Sequence, residues 1–375
     1  MPNKQLEVYY HGKNVGTLAQ TSDKRVAFQY STDWQKNGFS ISPFSLPLRN
    51  DVFIPSVTTR EYLHGLFGVF ADSLPDSWGN LLLDRFLLSI GVKPDEINEL
   101  DRLAYIGKSG MGALEYYPSK ESEYRIETVA LNYDEIAREC AKILESKESD
   151  KLDMIYNIAG SSGGTRPKIF VKEKNEEWIV KFASHIDSPS AGKKEYEYYK
   201  CATKCGINMS DSELIKSKKN EGYFKTKRFD RVQGEKILFV SFAGMLEADY
   251  RAPCLDYLTC MKLVQALTKN NINDLKQLYK TMCFNVFAHN MDDHAKNFAF
   301  IYTDAGGWRL SPMFDLTYSS TYYGEHTTSV NGKGKNITDS DLITVGVKAG
   351  LSKQYVESEI QDIKGKTAYL KDLSL

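Results

Sequence analysis

The chain has 375 residues, enough for two or three domains at about 100–200 residues each. A net charge of −1, with 42% hydrophobic and 26% charged residues, is the balance of an ordinary soluble globular protein and argues against a surface given over to nucleic acid. No apolar run approaches the ~18–20 residues of a membrane span, and MPNKQLEVYYHGK carries no signal-peptide pattern.

Residues 1–60 alternate and turn as two or three strands, with His11-Gly12-Lys13-Asn14 at a hairpin position. The two prolines of SISPFSLPLR confine that run to an edge or a connector. From Trp78 to Leu88 the apolar spacing turns helical, with Asp76 or Ser77 as N-cap and Gly91 as the stop. Pro94 opens a further short helix, PDEINELDRLAYI. Gly107, Gly110 and Gly112 precede a strand instead of a helix, with no Gly-Lys-Ser/Thr in place, so they read as a turn and not a phosphate loop. Residues 121–150 read as a linker and an amphipathic helix with Ile136, Cys140, Ile143 and Leu144 on one face.

The stretch NIAGSSGGTRPKIFV, residues 157–171, is a turn rich in glycine and hydroxyls that leads into a strand. Small residues there let backbone N–H groups approach phosphate oxygens, although the spacing matches neither a Walker loop nor G-x-G-x-x-G. The chain turns at KEKNEE and returns as WIVKF, which puts Lys181 on an apolar strand among Ile179, Val180 and Phe182. A helix from near Ala191 to Gly206 follows, with Glu195 and Glu197 in its first turns. EGYFKTKRFDRV is a strand running into a charged turn. Beyond residue 241 the pattern is mostly helical, in DYLTCMKLVQALTKN and NDLKQLYKTMCFNVFAHN.

Residues 285–320 concentrate the chemistry. Asp292 is followed five residues later by Asn297, and Asp315 comes after FAFIY, a Gly-Gly turn and WRL. Loop, strand, turn, strand, aspartate is the layout of a kinase-like phosphoryl-transfer site. Asp292 would accept the proton of a hydroxyl nucleophile, and Asn297 and Asp315 would ligate magnesium. In kinase order Lys181 would contact the ATP phosphates, Glu195 would orient that lysine, and the backbone near Lys227 and Phe229 would meet the adenine edge. The tail pairs two short helices around Gly350. Its Gly346, Gly350 and Val356 fit helix-turn-helix spacing, but without arginine it reads as a structural hairpin and not a DNA reader. The six cysteines stand in helix-like, largely apolar surroundings, with no second pair at ligand spacing to match Cys201 and Cys205. Buried free thiols, rather than zinc, and a reducing compartment, the cytoplasm, are expected.

Taken in order, FADSLPDSWGNLLLDR, LAYIGKSGMGALEYYP, NIAGSSGGTRPKIFV, WIVKF, KEYEYYKCATKCGI, KRFDR, NMDDHAKNFAF and LSPMFDLTYS resemble the HipA family of bacterial serine/threonine kinases, toxins of type II toxin–antitoxin pairs. The resemblance spans nearly the whole chain. It implies an α+β, bilobal protein-kinase-like fold with a β-rich N-terminal subdomain and a mainly helical C-terminal lobe. The ranges expected are 1–120 for that subdomain, 121–230 for the kinase N-lobe with its linker helix, and 231–375 for the C-lobe. It implies Asp292 as catalytic aspartate, Asn297 and Asp315 as magnesium ligands, and Lys181 on the ATP phosphates. The loop of Ser161, Ser162, Gly163 and Gly164 would cover the nucleotide, with Lys168 and Lys296 as further contacts. Ser161 or Ser162 would be the autophosphorylation site, and a phosphate there would compete with ATP for the loop amides. Aminoacyl-tRNA synthetases are substrates in the family, and a small helix-turn-helix antitoxin that binds operator DNA is the partner. The chain departs from eukaryotic kinases in reading HNMD for the HRD triplet and Met-Phe-Asp-Leu in place of the DFG motif. A catalytically weak co-repressor and a small-molecule kinase are the alternative readings.

Overall fold

The computed structural model describes residues 2–120, 131–159, 164–184, 187–321 and 323–373. Contacts divide the chain into two compact units, which the backbone visits in alternation. The first holds Met1–Gly192, Ile215–Val240 and Gly244–Glu247; the second holds Lys193–Leu214, Ser241–Ala243 and Ala248–Leu375. This division runs differently from the ranges 1–120, 121–230 and 231–375. The strand Tyr223–Lys227 pairs with Glu176–Lys181, which carries a later segment back to the first unit.

Among the described residues the first unit contains two larger sheets and a two-stranded one, Arg231–Val232 with Glu235–Lys236. One has five strands in the order Val52–Phe53, Val26–Tyr30, Lys13–Gln20, Gln5–Tyr10, Leu114–Tyr117, every neighbour antiparallel. The alternation of Leu6, Val8 and Tyr10 puts one face of the Gln5–Tyr10 strand inside. The expected hairpin turn is made by His11 and Gly12, both at positive φ (48° and 73°). Phe28 and Phe70 meet at 5.1 Å between ring centroids under this sheet. Tyr116 donates to Ser73 at 2.7 Å, tying the 70–80 segment to the last strand. The helix Glu99–Ile106 opens with a capping box from Asn98 and Asp101, and the Asp101 carboxylate also receives the Lys120 ammonium at 2.7 Å.

In the second sheet the strands Lys168–Glu173, Glu176–Lys181 and Tyr223–Lys227 run antiparallel. Their apolar face, with Ile169, Val171 and Val180, packs on Trp78 and Leu82 of the helix Ser77–Ser89 and on Ile136, Cys140 and Ile143 of the helix Tyr133–Leu144. A helix absent from the sequence reading, Leu152–Ala159, completes this core with Ile155, Ile158 and Ala159. It occupies the start of the stretch read as a glycine-rich turn, because burial of one face against the sheet overrides the weak propensity of an eight-residue segment.

The second unit is mainly helical: Tyr257–Leu267, Ile272–Phe287, Asp339–Lys348 and Lys353–Thr367, with the helix Ala191–Lys204 from Lys193 onward. Asp256, Asn271, Thr338 and Ser352 cap the first four of these through their side chains. Gly350, at φ 89°, breaks the last pair where the sequence places the turn. A β-hairpin, Ala299–Thr303 with Gly307–Leu310, is the expected pair of strands. Among the described residues no helix is long and apolar enough to cross a membrane. All six cysteines are free thiols and all but Cys254 are buried; Cys254 is exposed, against the expectation, because it lies in the loop before the helix Tyr257–Leu267.

Candidate active site

The helix Ile272–Phe287 ends at Ala288, and His289 turns the chain at φ 53°. Backbone bonds then hold the next residues: Met291 N–H to Ser319 O at 3.0 Å, Ser319 N–H to His289 O at 3.1 Å, and Thr327 N–H to Met291 O at 3.0 Å. Deeper support comes from Asp293, whose side chain is fully buried. Its Oδ2 accepts from the Tyr257 hydroxyl at 2.8 Å and lies 3.0 Å from His326 Nδ1, while Oδ1 accepts from Thr328 N–H at 3.1 Å. Tyr257 in turn accepts from Asn285 Nδ2 at 2.9 Å, and Asn285 Oδ1 accepts from Asn290 at 2.9 Å. Burial, reinforced by the Asp293 charge, holds the Tyr257 phenol well above its ordinary pKa, so it stays a donor.

On this base Asp292 faces outward, its side chain 55% exposed. Asn297 Nδ2 donates to the Asp292 carbonyl at 2.7 Å, and Asn297 N–H donates to His294 O at 2.8 Å. That bond leaves the amide oxygen of Asn297 as its acceptor end. His294 caps the short Ala295–Asn297 turn by accepting from Lys296 N–H at Nδ1, which makes Nε2 the protonated nitrogen of the neutral ring, 3.8 Å from Asp292 Oδ1. The Lys296 ammonium lies 4.5 Å from the Tyr250 ring centroid.

Asp315 follows the hairpin, whose outgoing strand is fixed by Arg309 on Asp274 (2.7 and 3.1 Å) and continued by Met313 N–H on Asn208 O at 2.8 Å. Asp315 has φ 54°, a left-handed conformation uncommon outside glycine and concentrated at functional sites. Glu195 is buried in the helix Ala191–Lys204, whereas Glu197 pairs with Lys200 at 2.7 Å. The helix is anchored within the second unit by Tyr198, whose hydroxyl donates to Ala288 O at 2.7 Å.

The first unit carries the lysines. Lys168 and Lys181 stand directly opposite each other in the strand pair, so both side chains rise from one face. Like charges so placed repel, and an anion between them relieves the repulsion. Lys168 is 7% exposed, and the Lys181 ammonium lies 5.7 Å from the Phe224 ring centroid. Ser161, Ser162 and Gly163 lie outside the described residues. Lys227 ends its strand with its ammonium on Glu176, and Phe229 packs on Phe239 at 5.7 Å. The KRFDR stretch, read from sequence as a charged strand end, instead turns inward. Arg228, Asp230 and Arg231 are buried, with Asp230 accepting from Arg228 Nη2 and Arg231 Nη1 at 2.8 Å each and from Gly112 N–H at 2.8 Å. Arg231 also donates to the carbonyls of Gly110 and Gly112 at 2.9 Å. The glycine turn thus supplies acceptors to buried arginines.

The Asn297 amide oxygen and the Asp315 carboxylate are donors of the kind that could hold a hard divalent cation such as magnesium, which takes one or two protein oxygens and fills its shell with phosphates and water. Among the described residues no three His, Cys, Asp or Glu side chains form a metal cage.

Comparison with known proteins places these features. The family model for the HipA N-terminal domain matches residues 6–117, and that for the HipA-like C-terminal domain matches residues 160–369. A protein of Sinorhizobium fredii named as an inferred kinase, Y4mE, is 24% identical over 407 residues, covering 98% of this chain and 91% of its own length. The HipA of a Shewanella oneidensis MR-1 toxin–antitoxin system, solved with HipB and operator DNA, superposes with a TM-score of 0.72 at 18% identity. That match covers 98% of this chain and 90% of the other, and it establishes a shared mixed α/β fold. With both domain models matched, the C-terminal one over more than half its length, the chain belongs to the HipA family.

Proposed function

We propose that this chain is an ATP- and Mg²⁺-dependent serine/threonine-protein kinase that acts as a growth-inhibiting toxin. The observation that carries the reading is the second unit's arrangement, in which Asn297 is bonded to the Asp292 backbone and Asp315 is held in the left-handed region. Asp292 accepts the proton of the substrate hydroxyl as its oxygen attacks the γ-phosphorus of ATP, and the bond from that phosphorus to the bridging oxygen breaks to release ADP. Asn297 Oδ1 and an Asp315 carboxylate oxygen would hold magnesium, which would supply charge neutralisation for the phosphates. Lys181 and Lys168 bind phosphate oxygens, and Glu195 takes the role of the helix glutamate. Ser161 or Ser162 receives the autophosphorylation. The protein substrate is an aminoacyl-tRNA synthetase. The partner is a helix-turn-helix antitoxin through which operator DNA is engaged, a proposal supported by the HipB and operator DNA bound to the structural relative.

The test is autophosphorylation with labelled ATP, comparing wild type with Asp292→Ala. Labelling is expected in the first and absent in the second; equal labelling would sink the assignment of Asp292. Phosphoproteomics after induced expression identifies the substrate, and a target that is a small metabolite would replace the protein-kinase reading.

A further inference from the structure

The segment FADSLPDSWGN, residues 70–80, has no part in the phosphotransfer roles above, yet it grips the end of the glycine-rich loop. Asp76 stands at the N-cap of the helix Ser77–Ser89 without capping it through its side chain. An N-cap aspartate ordinarily accepts from an N–H of its own first turn. Here Oδ2 accepts from Gly164 N–H instead, at 2.9 Å. Two residues later Trp78 N–H donates to Gly164 O at 3.3 Å, so one short stretch engages both backbone polar groups of this glycine. The Trp78 indole, 1% exposed, donates from Nε1 to Lys168 O at 3.2 Å. Gly164 has φ 84°, and a Cβ there would lie 2.5 Å from the Lys168 ammonium nitrogen. The ammonium of Lys168 is therefore folded onto the α-carbon of the residue that Asp76 and Trp78 hold.

We infer that Asp76 and Trp78 are positioning residues for nucleotide binding, fixing Gly164 and Lys168 where a phosphate is to be received; this rests on the kinase reading of Lys168. A lysine binds an anion tightly only when its position and that of the backbone beside it are set beforehand, since otherwise binding must also order them. Asp76 supplies a charge-assisted bond to the loop, and Trp78 supplies a rigid buried donor to the strand that bears the lysine. The carboxylate also keeps Gly164 N–H from serving as a phosphate donor, so its effect on ATP passes through position and not through contact.

Hydrogen exchange at the peptide containing Gly164, ATP affinity from titration with a fluorescent ATP analogue, and steady-state kinetics would be compared for wild type, Asp76→Ala and Asp76→Asn. Asparagine keeps an oxygen acceptor at the same reach and guards against a variant that merely misfolds. In Asp76→Ala, exchange at Gly164 is expected to accelerate and ATP affinity to fall about ten- to a hundredfold. KM for ATP should rise more than kcat falls, and Asp76→Asn should recover most of both losses. Faster exchange with unchanged ATP affinity would overturn the link to nucleotide binding. Unchanged exchange in Asp76→Ala would overturn the clamp itself. Wild-type protein that binds no nucleotide while Asp76→Ala still exchanges faster would bring down the kinase reading, and the link to ATP with it, leaving the clamp as a structural contact.

Discussion

Asp292 and Asp293 are consecutive in the chain, one facing solvent and the other sealed beneath it. Asp292→Asn is expected to lower kcat about 10²- to 10⁴-fold with little change in unfolding free energy, because its exposed carboxylate has no core to disturb. Asp293→Ala strands the Tyr257 hydroxyl, His326 Nδ1 and Thr328 N–H together and should cost about 3 kcal/mol by urea unfolding. Parallel kinetics and denaturation on the two variants separate these outcomes. The offsets between Asp292, Asn297 and Asp315 are visible in the sequence because all three lie in one continuous stretch of loop and hairpin. The role of Asp293 is not, since its partners come from the 257 and 326–328 regions and no local pattern marks them. Asp230 was hidden for another reason: a run such as KRFDR ordinarily marks a solvated face. Burial, the largest effect on Asp230, pushes its pKa up, but Arg228 and Arg231 outweigh it and hold the carboxyl at about 2. A folded pKa below the unfolded one gives stability that is present above about pH 4 and lost as pH falls toward 2. The loss is on the order of 2 kcal/mol. Urea unfolding across that window should show it in wild type, and Asp230→Asn should remove this contribution to the slope.

Two glycines in neighbouring helices of the tail show how packing decides the sign of one substitution. A Cβ on Gly346, in the helix Asp339–Lys348, would meet Val356 Cγ2 at 2.6 Å and the Tyr279 ring at 2.7 Å. Gly346→Ala should therefore destabilise by about 1–3 kcal/mol through overpacking. Gly365, in Lys353–Thr367, has nothing within 4 Å of such a Cβ. Gly365→Ala should stabilise by about 0.5–1 kcal/mol from helix propensity alone. Chemical denaturation of both variants checks the pair of signs. The break at Gly350 and the 299–310 hairpin were legible because turn residues separate strongly patterned runs. The helix Leu152–Ala159 was not, since eight residues give barely two turns of periodicity and a glycine-rich stretch follows directly. Its stability lies in the sheet it covers, whose strands come later in the chain, from Lys168–Glu173 to Tyr223–Lys227.

At the level of the whole molecule, ligand linkage offers a test that does not depend on turnover. ATP with magnesium at a hundredfold excess over Kd should stabilise the folded protein by about 2.7 kcal/mol, read as a rise in melting temperature. Chelation of the metal, or Asp315→Asn, should reduce that rise. The alternating path of the backbone bears on how the protein is made. The strand Tyr223–Lys227, needed to pair with Glu176–Lys181, is synthesised only after the first part of the second unit, Lys193–Leu214. A nascent chain that has emerged as far as Gly192 therefore exposes an unpaired edge at Glu176–Lys181, the strand that carries Trp178, and must wait for the next stretch to emerge. The time residues 193–227 take to emerge sets the length of that wait, so slow decoding of the codons being read then should send more of the newly made protein into aggregates while leaving the folded product unchanged.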